Sequence, residues 1–288
     1  MIRVSDEVRA ATAVVALETT LVAHGFPPGE GLAVAAESEQ RVRDAGAVPA
    51  TIGVLEGEIR VGLSLAELER FDVGARKAGP RDLAVCVAQR AVGATTVGGT
   101  LAVCRAAGIR FMATGGIGGV HRGFPHPPDV SADLGELART PALVVSTGIK
   151  SLLDVPATLE LLETLGVPVV GFRTDNLPLF YTAVGGPPVP ARAESVEEVA
   201  RIARTHWNLG GAGLVLAHPP PNSLDDIEPL IEDALAEAGR RGVTGQAVTP
   251  FILSLLHQHS GGRTLTANRE LVVANAGLAA EIAVKAVR

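Results

Sequence analysis

The chain of 288 residues carries a formal net charge of −6, and its Lys and Arg residues form no basic block. This charge distribution argues against a nucleic-acid duplex as partner, because proteins that bind a phosphate backbone carry a positively charged surface. Hydrophobic residues make up 47% of the chain and aromatic residues only 3%. A large core must therefore be built from Ala, Val, Leu and Ile, as in proteins with parallel sheets.

The location of the protein is predicted from features that its sequence lacks. The segment from Met1 to Thr12 shows no signal-peptide pattern, and no apolar run reaches the length that spans a membrane. Cys86 and Cys104 lie in apolar helical patterns without Cys or His at metal spacing, which indicates buried free thiols. We expect a soluble cytoplasmic protein.

Short apolar strands alternate with helices along the first half of the chain. The hydrophobic pattern predicts a strand over 14–17, a helix over 31–46, hairpin strands over 50–55 and 58–61, helices over 81–92 and 99–107 around a strand over 94–97, and a strand over 109–113. The last of these strands leads into a glycine-rich segment from Thr114 to Gly123.

The same alternation continues in the second half. It predicts helices over 131–139, 151–165, 196–208, 224–240, 249–259 and 268–287, and strands over 142–146, 167–172 and 213–217. This order is typical of the α/β class, here a three-layer α/β/α structure with a central parallel or mixed sheet. No linker is long or polar enough to indicate a second domain, so we expect a single domain over 1–288.

Lys150 is the strongest candidate for a catalytic residue. It follows the predicted strand over 142–146 and a turn of small residues, and α/β enzymes bind their ligands at the carboxyl ends of strands. Loss of hydration there favours the neutral amine, which can attack a carbonyl and form a Schiff base. The alternative is a lysine that caps a helix or pairs with a carboxylate, and this residue alone leaves both interpretations open.

Three carboxylates are further candidates. Glu18 follows the strand over 14–17 and can act as a general acid or base, or it can be an exposed turn residue. Asp129 and Asp133 are hard oxygen ligands that favour Mg²⁺ or Mn²⁺. The alternative for that pair is a helix start, with Ser131 as N-cap and Asp133 in the first turn.

Most of the remaining polar candidates have both a functional and a purely structural interpretation. The glycine-rich segment is neither a dinucleotide fingerprint nor a P-loop, and its glycines allow an anion to approach or the chain to turn tightly. His121, directly after it, is a candidate for substrate binding or a turn cap. Lys77 lies in a predicted polar loop, where a solvated charge is the default and a phosphate contact the alternative. Asn268 is predicted to be the N-cap of the last helix.

Taken together, these segments resemble one family, the pseudouridine-5′-phosphate glycosidases, also called the indigoidine synthase A family. The resemblance covers about Val14 to Val284, and its most specific part is the glycine-rich run followed by the D-x-S-A-D box. The matching segments lie at 16–20, 48–52, 81–83, 93–97, 113–123, 129–134, 150–154, 166–168 and 249–251.

The resemblance implies cleavage of the C–C bond between uracil C5 and ribose C1′ of pseudouridine 5′-phosphate, giving uracil and ribose 5-phosphate. A C-glycoside has no leaving oxygen or nitrogen to protonate, so two-carboxylate glycosidase chemistry suits it poorly. Opening the sugar ring and forming a lysine imine at C1′ provides an electron sink. Protonation of uracil C5 then lets the base leave.

The same resemblance implies a role for each candidate site residue. Lys150 corresponds to the nucleophile, Glu18 to the acid/base group, and Asp129 to the ligand of a divalent cation, Mn²⁺ or another ion such as Mg²⁺. The family also implies a homotrimer and small-molecule partners, with no nucleic acid and no membrane. Substrate contacts are implied for Lys77, Val97, His121, Ser131, Ala132, Asp133 and Asn268.

The sequence departs from the family pattern in three places without losing a proposed catalytic residue. Gly98-Gly99-Thr100 replaces a run that resembles Ala-Ser-Thr, the segment 124–128 is proline-rich, and the loop over 71–77 is short. Two rival functions are an indigoidine-pathway accessory enzyme that acts on another phosphorylated ribosyl compound, and a non-catalytic sugar-phosphate-binding protein. Conversion of pseudouridine 5′-phosphate separates them.

Overall fold

A mixed β-sheet forms the middle layer of the protein, in a computed structural model that describes residues 1–122 and 129–287. Gly123 and the proline-rich segment 124–128 lie outside the described residues. The strands are β1 (Ile2–Val4), β2 (Val14–Glu18), β3 (Val48–Leu55), β4 (Glu58–Val61), β5 (Arg76–Ala78), β6 (Gly93–Thr95), β7 (Phe111–Ala113), β8 (Val120–His121), β9 (Leu143–Ser146), β10 (Leu153–Asp154), β11 (Val169–Phe172), β12 (Ala191–Ala193) and β13 (Leu214–Ala217).

Eleven strands of the described chain form one sheet, whose main path has the order β1-β4-β3-β2-β7-β9-β13-β11-β12. Strand β6 pairs with β3, and β5 pairs with β6, so these two strands form a branch beside the main path. Strand β3 is antiparallel to β4 and β6, and the other neighbours are parallel. Strands β8 and β10 form a separate antiparallel ribbon. The predicted α/β class with a mixed central sheet is confirmed.

The hairpin between β3 and β4 turns at Glu56 and Gly57, whose φ angles are 55° and 84°. A two-residue loop with positive φ at both positions matches the twist of the strands that it joins. The predicted hairpin is therefore confirmed.

Helices cover both faces of the sheet. They are α1 (Asp6–Ala10), α2 (Glu30–Asp44), α3 (Leu65–Leu68), α4 (Leu83–Ala88), α5 (Val97–Ala107), α6 (Ala132–Leu137), α7 (Val155–Thr164), α8 (Val196–Asn208), α9 (Glu228–Arg240), α10 (Val248–His259) and α11 (Arg263–Ala286). A π-helical turn spans Leu21–Gly25, and a 3₁₀ turn spans Gly245–Ala247. No helix within the described ranges is long and apolar enough to span a bilayer.

Two apolar clusters lie on opposite sides of the sheet. Successive residues of a strand face opposite sides, and in β9 Val144 belongs to one cluster while Leu143 and Val145 belong to the other. The first cluster includes side chains of α5, α6, α7, α9 and α10, and the second includes those of α8 and much of α11. Cys86 and Cys104 are buried free thiols, as predicted.

The helix predicted over 151–165 begins later than its apolar pattern suggested. Ser151 and Leu152 form a turn, Leu153 and Asp154 form β10, and α7 starts at Val155. The side chain of Asp154 caps this helix by accepting a 3.0 Å hydrogen bond from the N–H of Ala157. Because β10 pairs with β8, the chain just after Lys150 is joined to the end of the glycine-rich segment.

Candidate functional site

The candidate site lies where three neighbouring parallel strands end. Strands β2, β7 and β9 are adjacent in that order, and their carboxyl ends lead to Glu18, Thr114 and the turn before Lys150. In open α/β sheets, the carboxyl edge of the strands is where ligands bind. The two residues proposed as catalytic are therefore brought to one edge, on either side of β7.

Glu18 is held by two hydroxyl groups. Its side chain is buried, with 5% of the residue exposed, and its Oε1 accepts a 2.5 Å hydrogen bond from Thr114 Oγ1. Its Oε2 accepts another from Thr20 Oγ1. Burial raises the pKa of Glu18, and the charge of Lys150 and the two hydroxyl donors oppose that effect. A carboxyl group in this setting is suited to hold a proton and deliver it.

Lys150 is placed by a turn that requires glycine. Gly148 has a φ of +70°, and a Cβ at this position would lie 2.1 Å from the carbonyl oxygen of Pro178. Two residues later, the N–H of Lys150 donates to the carbonyl of Ile117 at 3.2 Å. The side chain of Lys150 is half-buried, and a Cβ added to Gly116 would lie 3.4 Å from Lys150 Cγ. The main chain of the glycine-rich segment thus lies against the lysine.

The prediction that Lys77 is a loop residue with a solvated charge is wrong. Lys77 is the middle residue of β5, where it lies opposite Ala94 of β6, and it is half-buried. Burial lowers the pKa of Lys77, and the nearby charge of Lys150 lowers it further. Lys77 therefore lies on the side branch of the sheet but close enough to Lys150 for the two charges to interact.

The charged candidates lie within electrostatic reach of one another. The carboxylates of Asp133, Glu18 and Asp129 oppose the lowering of the Lys77 pKa. The chain has only three lysines, Lys77, Lys150 and Lys285. The first two share this site, whereas Lys285 pairs with Glu197. Arginine stays protonated in proteins, whereas a buried lysine can lose its proton and act as a nucleophile.

The D-x-S-A-D box is bound to the glycine-rich segment. The Oδ1 of Asp133 accepts a 2.7 Å hydrogen bond from the N–H of Gly98, and its Oδ2 accepts a 2.8 Å bond from the N–H of Gly118. The Oγ of Ser131 caps α6 by accepting from the N–H of Asp133 at 3.2 Å. The predicted helix cap is therefore correct. The amide of Gly118 holds a carboxylate of the protein itself, so it is not available to bind an anion.

His121 and Asp129 lie together at the edge of the site. Their Nδ1 and Oδ2 atoms are 3.6 Å apart, and the N–H of His121 donates to the Asp129 carbonyl at 3.0 Å. Burial lowers the pKa of His121, the carboxylate of Asp129 opposes this, and the charges of Lys77 and Lys150 add to the lowering. Strand pairing places His121 opposite Leu153 of β10.

The described residues contain no group of three or more His, Cys, Asp or Glu side chains that could hold a metal ion. Asp129 is half-buried, while both oxygens of Asp133 are already engaged by amides. Mg²⁺ and similar hard ions are often held by one or two carboxylates with water in the other positions. This arrangement fits a hydrated ion held by Asp129 alone, and it does not fit an ion enclosed by protein ligands.

Val97, Ala132 and Asn268 differ in their accessibility. Val97 begins α5 and is buried, whereas Ala132 begins α6 and is exposed. Asn268 is not the N-cap of the last helix, because α11 begins at Arg263 after Gly262. It is a buried residue inside the helix, and its Nδ2 donates to the Gly25 carbonyl at 3.4 Å while its Oδ1 has no hydrogen-bond partner among the described residues. Such an unsatisfied oxygen is suited to a substrate donor.

Sequence reasoning missed the residues that support the site. Thr114 and Thr20 hold the carboxyl group of Glu18, and Asn275 of α11 donates to Thr114 O at 2.8 Å. A polar residue in an otherwise apolar helical stretch was the available signal for Asn275, which lies among Val272, Ala276 and Leu278.

The comparisons with known proteins identify the family of the chain. Residues 3–285 match the family described as indigoidine synthase A like protein. A pseudouridine-5′-phosphate glycosidase of Chloroflexus aurantiacus is 48% identical over 300 residues, which cover 99% of this chain and 98% of that protein.

Two crystal structures show the same fold. An indigoidine synthase A-like protein from Thermotoga maritima is 41% identical with a TM-score of 0.90, covering 100% of this chain and 97% of that one. The prealnumycin C-glycosynthase AlnA, in complex with ribulose 5-phosphate, is 39% identical with a TM-score of 0.89 and the same coverage. On the match over residues 3–285 and on relatives nearly half identical over almost the whole chain, this protein belongs to the indigoidine synthase A like protein family.

Proposed function

We propose that the protein is a pseudouridine-5′-phosphate glycosidase that cleaves its substrate reversibly to uracil and ribose 5-phosphate through a lysine imine. The observation that carries the proposal is the pair formed by Glu18 and Lys150 at the ends of β2 and β9. Burial raises the pKa of Glu18, so a proton donor lies within electrostatic reach of an amine that can act as nucleophile. Relatives named for this activity, 45–50% identical to this chain, support it.

The chemistry begins at ribose C1′. The amine of Lys150 attacks C1′, and the C1′–O4′ bond breaks as Glu18 gives its proton to O4′. The nitrogen, now bonded to C1′, loses a proton to the carboxylate of Glu18. Glu18 then protonates uracil C5, and the C1′–C5 bond breaks as the nitrogen lone pair forms the imine. Water hydrolyses the imine and releases ribose 5-phosphate.

A divalent ion held by Asp129 through water would supply positive charge for the sugar phosphate. The half-buried carboxylate of Asp129, beside His121, can hold such a hydrated ion in place. The steps at C1′ and C5 use only Glu18 and Lys150.

The ammonium group of Lys77 is proposed to hold the phosphate or the ribose of the substrate. A lysine acts as a point charge that suits phosphate. Asp133 contributes by fixing the N-terminus of α5 and the glycine-rich segment through Gly98 and Gly118. Val97, His121, Ser131, Ala132 and Asn268 complete the proposed substrate contacts. A homotrimer in the cytoplasm is proposed from the family resemblance.

The C-glycosynthase neighbour favours one rival function, in which the same site acts on another phosphorylated sugar or another base. Both functions use a sugar phosphate and a C-glycosidic bond, so conversion of pseudouridine 5′-phosphate itself distinguishes them. Release of uracil from pseudouridine 5′-phosphate by the purified protein supports the glycosidase function. Covalent attachment of ribose 5-phosphate without any uracil release favours the rival.

Borohydride reduction in the presence of ribose 5-phosphate tests the imine directly. With only three lysines in the chain, peptide mapping by mass spectrometry assigns the adduct without ambiguity. We expect the adduct on Lys150, none on Lys285, and neither adduct nor turnover in Lys150→Ala. Lys150→Arg is the matched control, because it keeps the positive charge but removes the nucleophile. An adduct on Lys77 instead of Lys150 would refute the assignment.

A further inference from the structure

Asn275 joins the segment that contacts Glu18 to the turn that leads to Lys150. It lies on α11 with 0% exposure. Its Nδ2 donates to the carbonyl of Thr114 at 2.8 Å and to the hydroxyl of Thr147 at 3.0 Å. Its Oδ1 lies 2.9 Å from Nδ1 of His218. One buried amide therefore contacts the segments after β7, β9 and β13.

The direction of these hydrogen bonds is fixed by chemistry. A main-chain carbonyl only accepts, so the NH₂ group of Asn275 must face Thr114. Its Oδ1 then faces His218, whose Nδ1 must carry a proton in order to donate. The structure thus specifies the Nδ1–H tautomer or the imidazolium form of His218, and both the NH₂ group and the oxygen of Asn275 have partners.

The two residues that accept hydrogen bonds from the NH₂ group of Asn275 are connected to Glu18 and Lys150. Thr114 donates its hydroxyl to Glu18 at 2.5 Å. Thr147 begins the turn that ends at Lys150, and its N–H donates to the carbonyl of Gly115 at 2.8 Å. Asn275 therefore fixes the distance between the end of β7 and the end of β9, where the proton donor and the nucleophile must meet on one substrate.

We propose that Asn275 is a positioning residue that sets Glu18 and Lys150 in register with each other. The proposal rests on the proposed function, because it assigns Asn275 a role in that reaction. Asn275 acts through Thr114 and Thr147. Lys77 lies on the separate branch formed by β5 and β6. Loss of Asn275 should therefore change the chemical step more than the binding of the phosphorylated substrate.

The test compares two variants with a control of similar burial. Asn275→Asp and Asn275→Leu both remove the NH₂ donor, and Asn275→Asp keeps an acceptor for His218. Thr140→Val removes a buried hydroxyl just before β9, at the end of the strand away from Lys150. A displacement of about 1 Å in a catalytic group can cost about a hundredfold in rate.

We expect kcat to fall about 10- to 100-fold in each Asn275 variant that folds, with KM changed less than threefold and slower borohydride trapping at Lys150. Thr140→Val should keep kcat within about twofold. An Asn275 variant with the kcat of the wild type, or a loss carried only by KM, would overturn the proposal. If Asn275→Leu does not fold, Asn275→Asp decides the question.

Failure of the proposed function would look different. A wild-type protein that releases no uracil contradicts that function, whatever Asn275 does. The hydrogen-bond arrangement then has its own measurement, ¹⁵N NMR of histidine-labelled protein. We expect a proton on Nδ1 of His218 in the wild type and loss of this preference in Asn275→Leu. A neutral His218 protonated on Nε2 would overturn the proposal without any activity assay.

Discussion

Thr114 donates its hydroxyl group to the carboxyl group of Glu18 across the pairing of β7 with β2, at 2.5 Å. This hydrogen bond stabilises the ionised form of Glu18 and opposes the effect of burial, which raises the pKa of the group. Burial, the opposing charge of Lys150 and the hydroxyl donors Thr114 and Thr20 together determine the pKa of Glu18.

Replacement of Thr114 by Val should therefore raise the pKa of Glu18 further. Activity that depends on protonated Glu18 is lost as the pH rises through this pKa, so the basic limb of the kcat/KM profile should move to higher pH. A pH series of uracil release measures the shift, with Thr140→Val as the control. A basic limb that stays in place, or moves to lower pH, would show that Thr114 does not tune Glu18.

Glu18→Gln should separate catalysis from stability. General acid–base catalysis contributes typically about 10²- to 10⁴-fold, so kcat should fall on that scale while ribose 5-phosphate still forms the imine. Because the folded-state pKa of Glu18 is raised, the fold loses stability as the pH rises from the unfolded pKa through the folded one. The variant should therefore gain Tm over the wild type at alkaline pH and lose that advantage near pH 4. An equal Tm difference at all pH values contradicts this explanation.

Gly148→Ala tests the turn that places Lys150. An alanine at a φ of +70° costs about 1–2 kcal/mol, and here its Cβ would also lie 2.1 Å from the carbonyl oxygen of Pro178. Gly166 has a φ of +68° with nothing within 4 Å of the corresponding Cβ, so Gly166→Ala measures the cost of the backbone alone. We expect Gly148→Ala to lose more stability than this control and to lose trapping at Lys150. Equal behaviour of the two variants would mean that the turn does not position the lysine.

Lys77→Ala tests recognition of the phosphate group. The net charge of −6 does not attract a dianionic substrate to the protein as a whole, so local donors must hold it. We expect the variant to lose much more kcat/KM with pseudouridine 5′-phosphate than with pseudouridine. Equal losses with both substrates would assign the Lys77 contact to the ribose or the base.

Removal of divalent metal tests the role of Asp129. EDTA should suppress activity, and Mn²⁺ or Mg²⁺ should restore it, because a hard ion suits a carboxylate with water ligands. Asp129→Asn should require more metal for the same recovery, whereas Asp175→Asn, at an exposed site, should respond as the wild type does. Full activity of the chelated, metal-free wild type would show that the D-x-S-A-D box acts only as a helix cap, through Ser131, and that no metal takes part.

Long, regular patterns were the part of the fold that the sequence predicted well. The helix predicted over 196–208 matches α8 because its apolar residues recur on one face over more than three turns. Glu18 was identified for a similar reason, since it follows an unbroken apolar strand.

Short elements and distant contacts could not be predicted in this way. β5 has three residues, too few to show a period, and its partner β6 comes 17 residues later, so the sequence alone predicts a loop at Lys77. The sequence predicts that the last helix starts at Asn268 because Asn is a common cap, but Gly262 with a φ of 84° is the N-cap in the structure. Thr114 and Asn275 are 161 residues apart, and only the packing of α11 against the sheet brings them together.

The position of α11 has a consequence for how the protein folds. This helix packs against β2, β7 and β9, which contribute the ends of the site, and its Asn275 lies 161 residues from Thr114. Contacts between residues far apart in sequence form late, because a large loop must close before they are made. The sheet can therefore form before the site does, and during refolding from denaturant the recovery of the sheet should precede the recovery of turnover. We expect the docking of α11 against this sheet to be the step that completes the site.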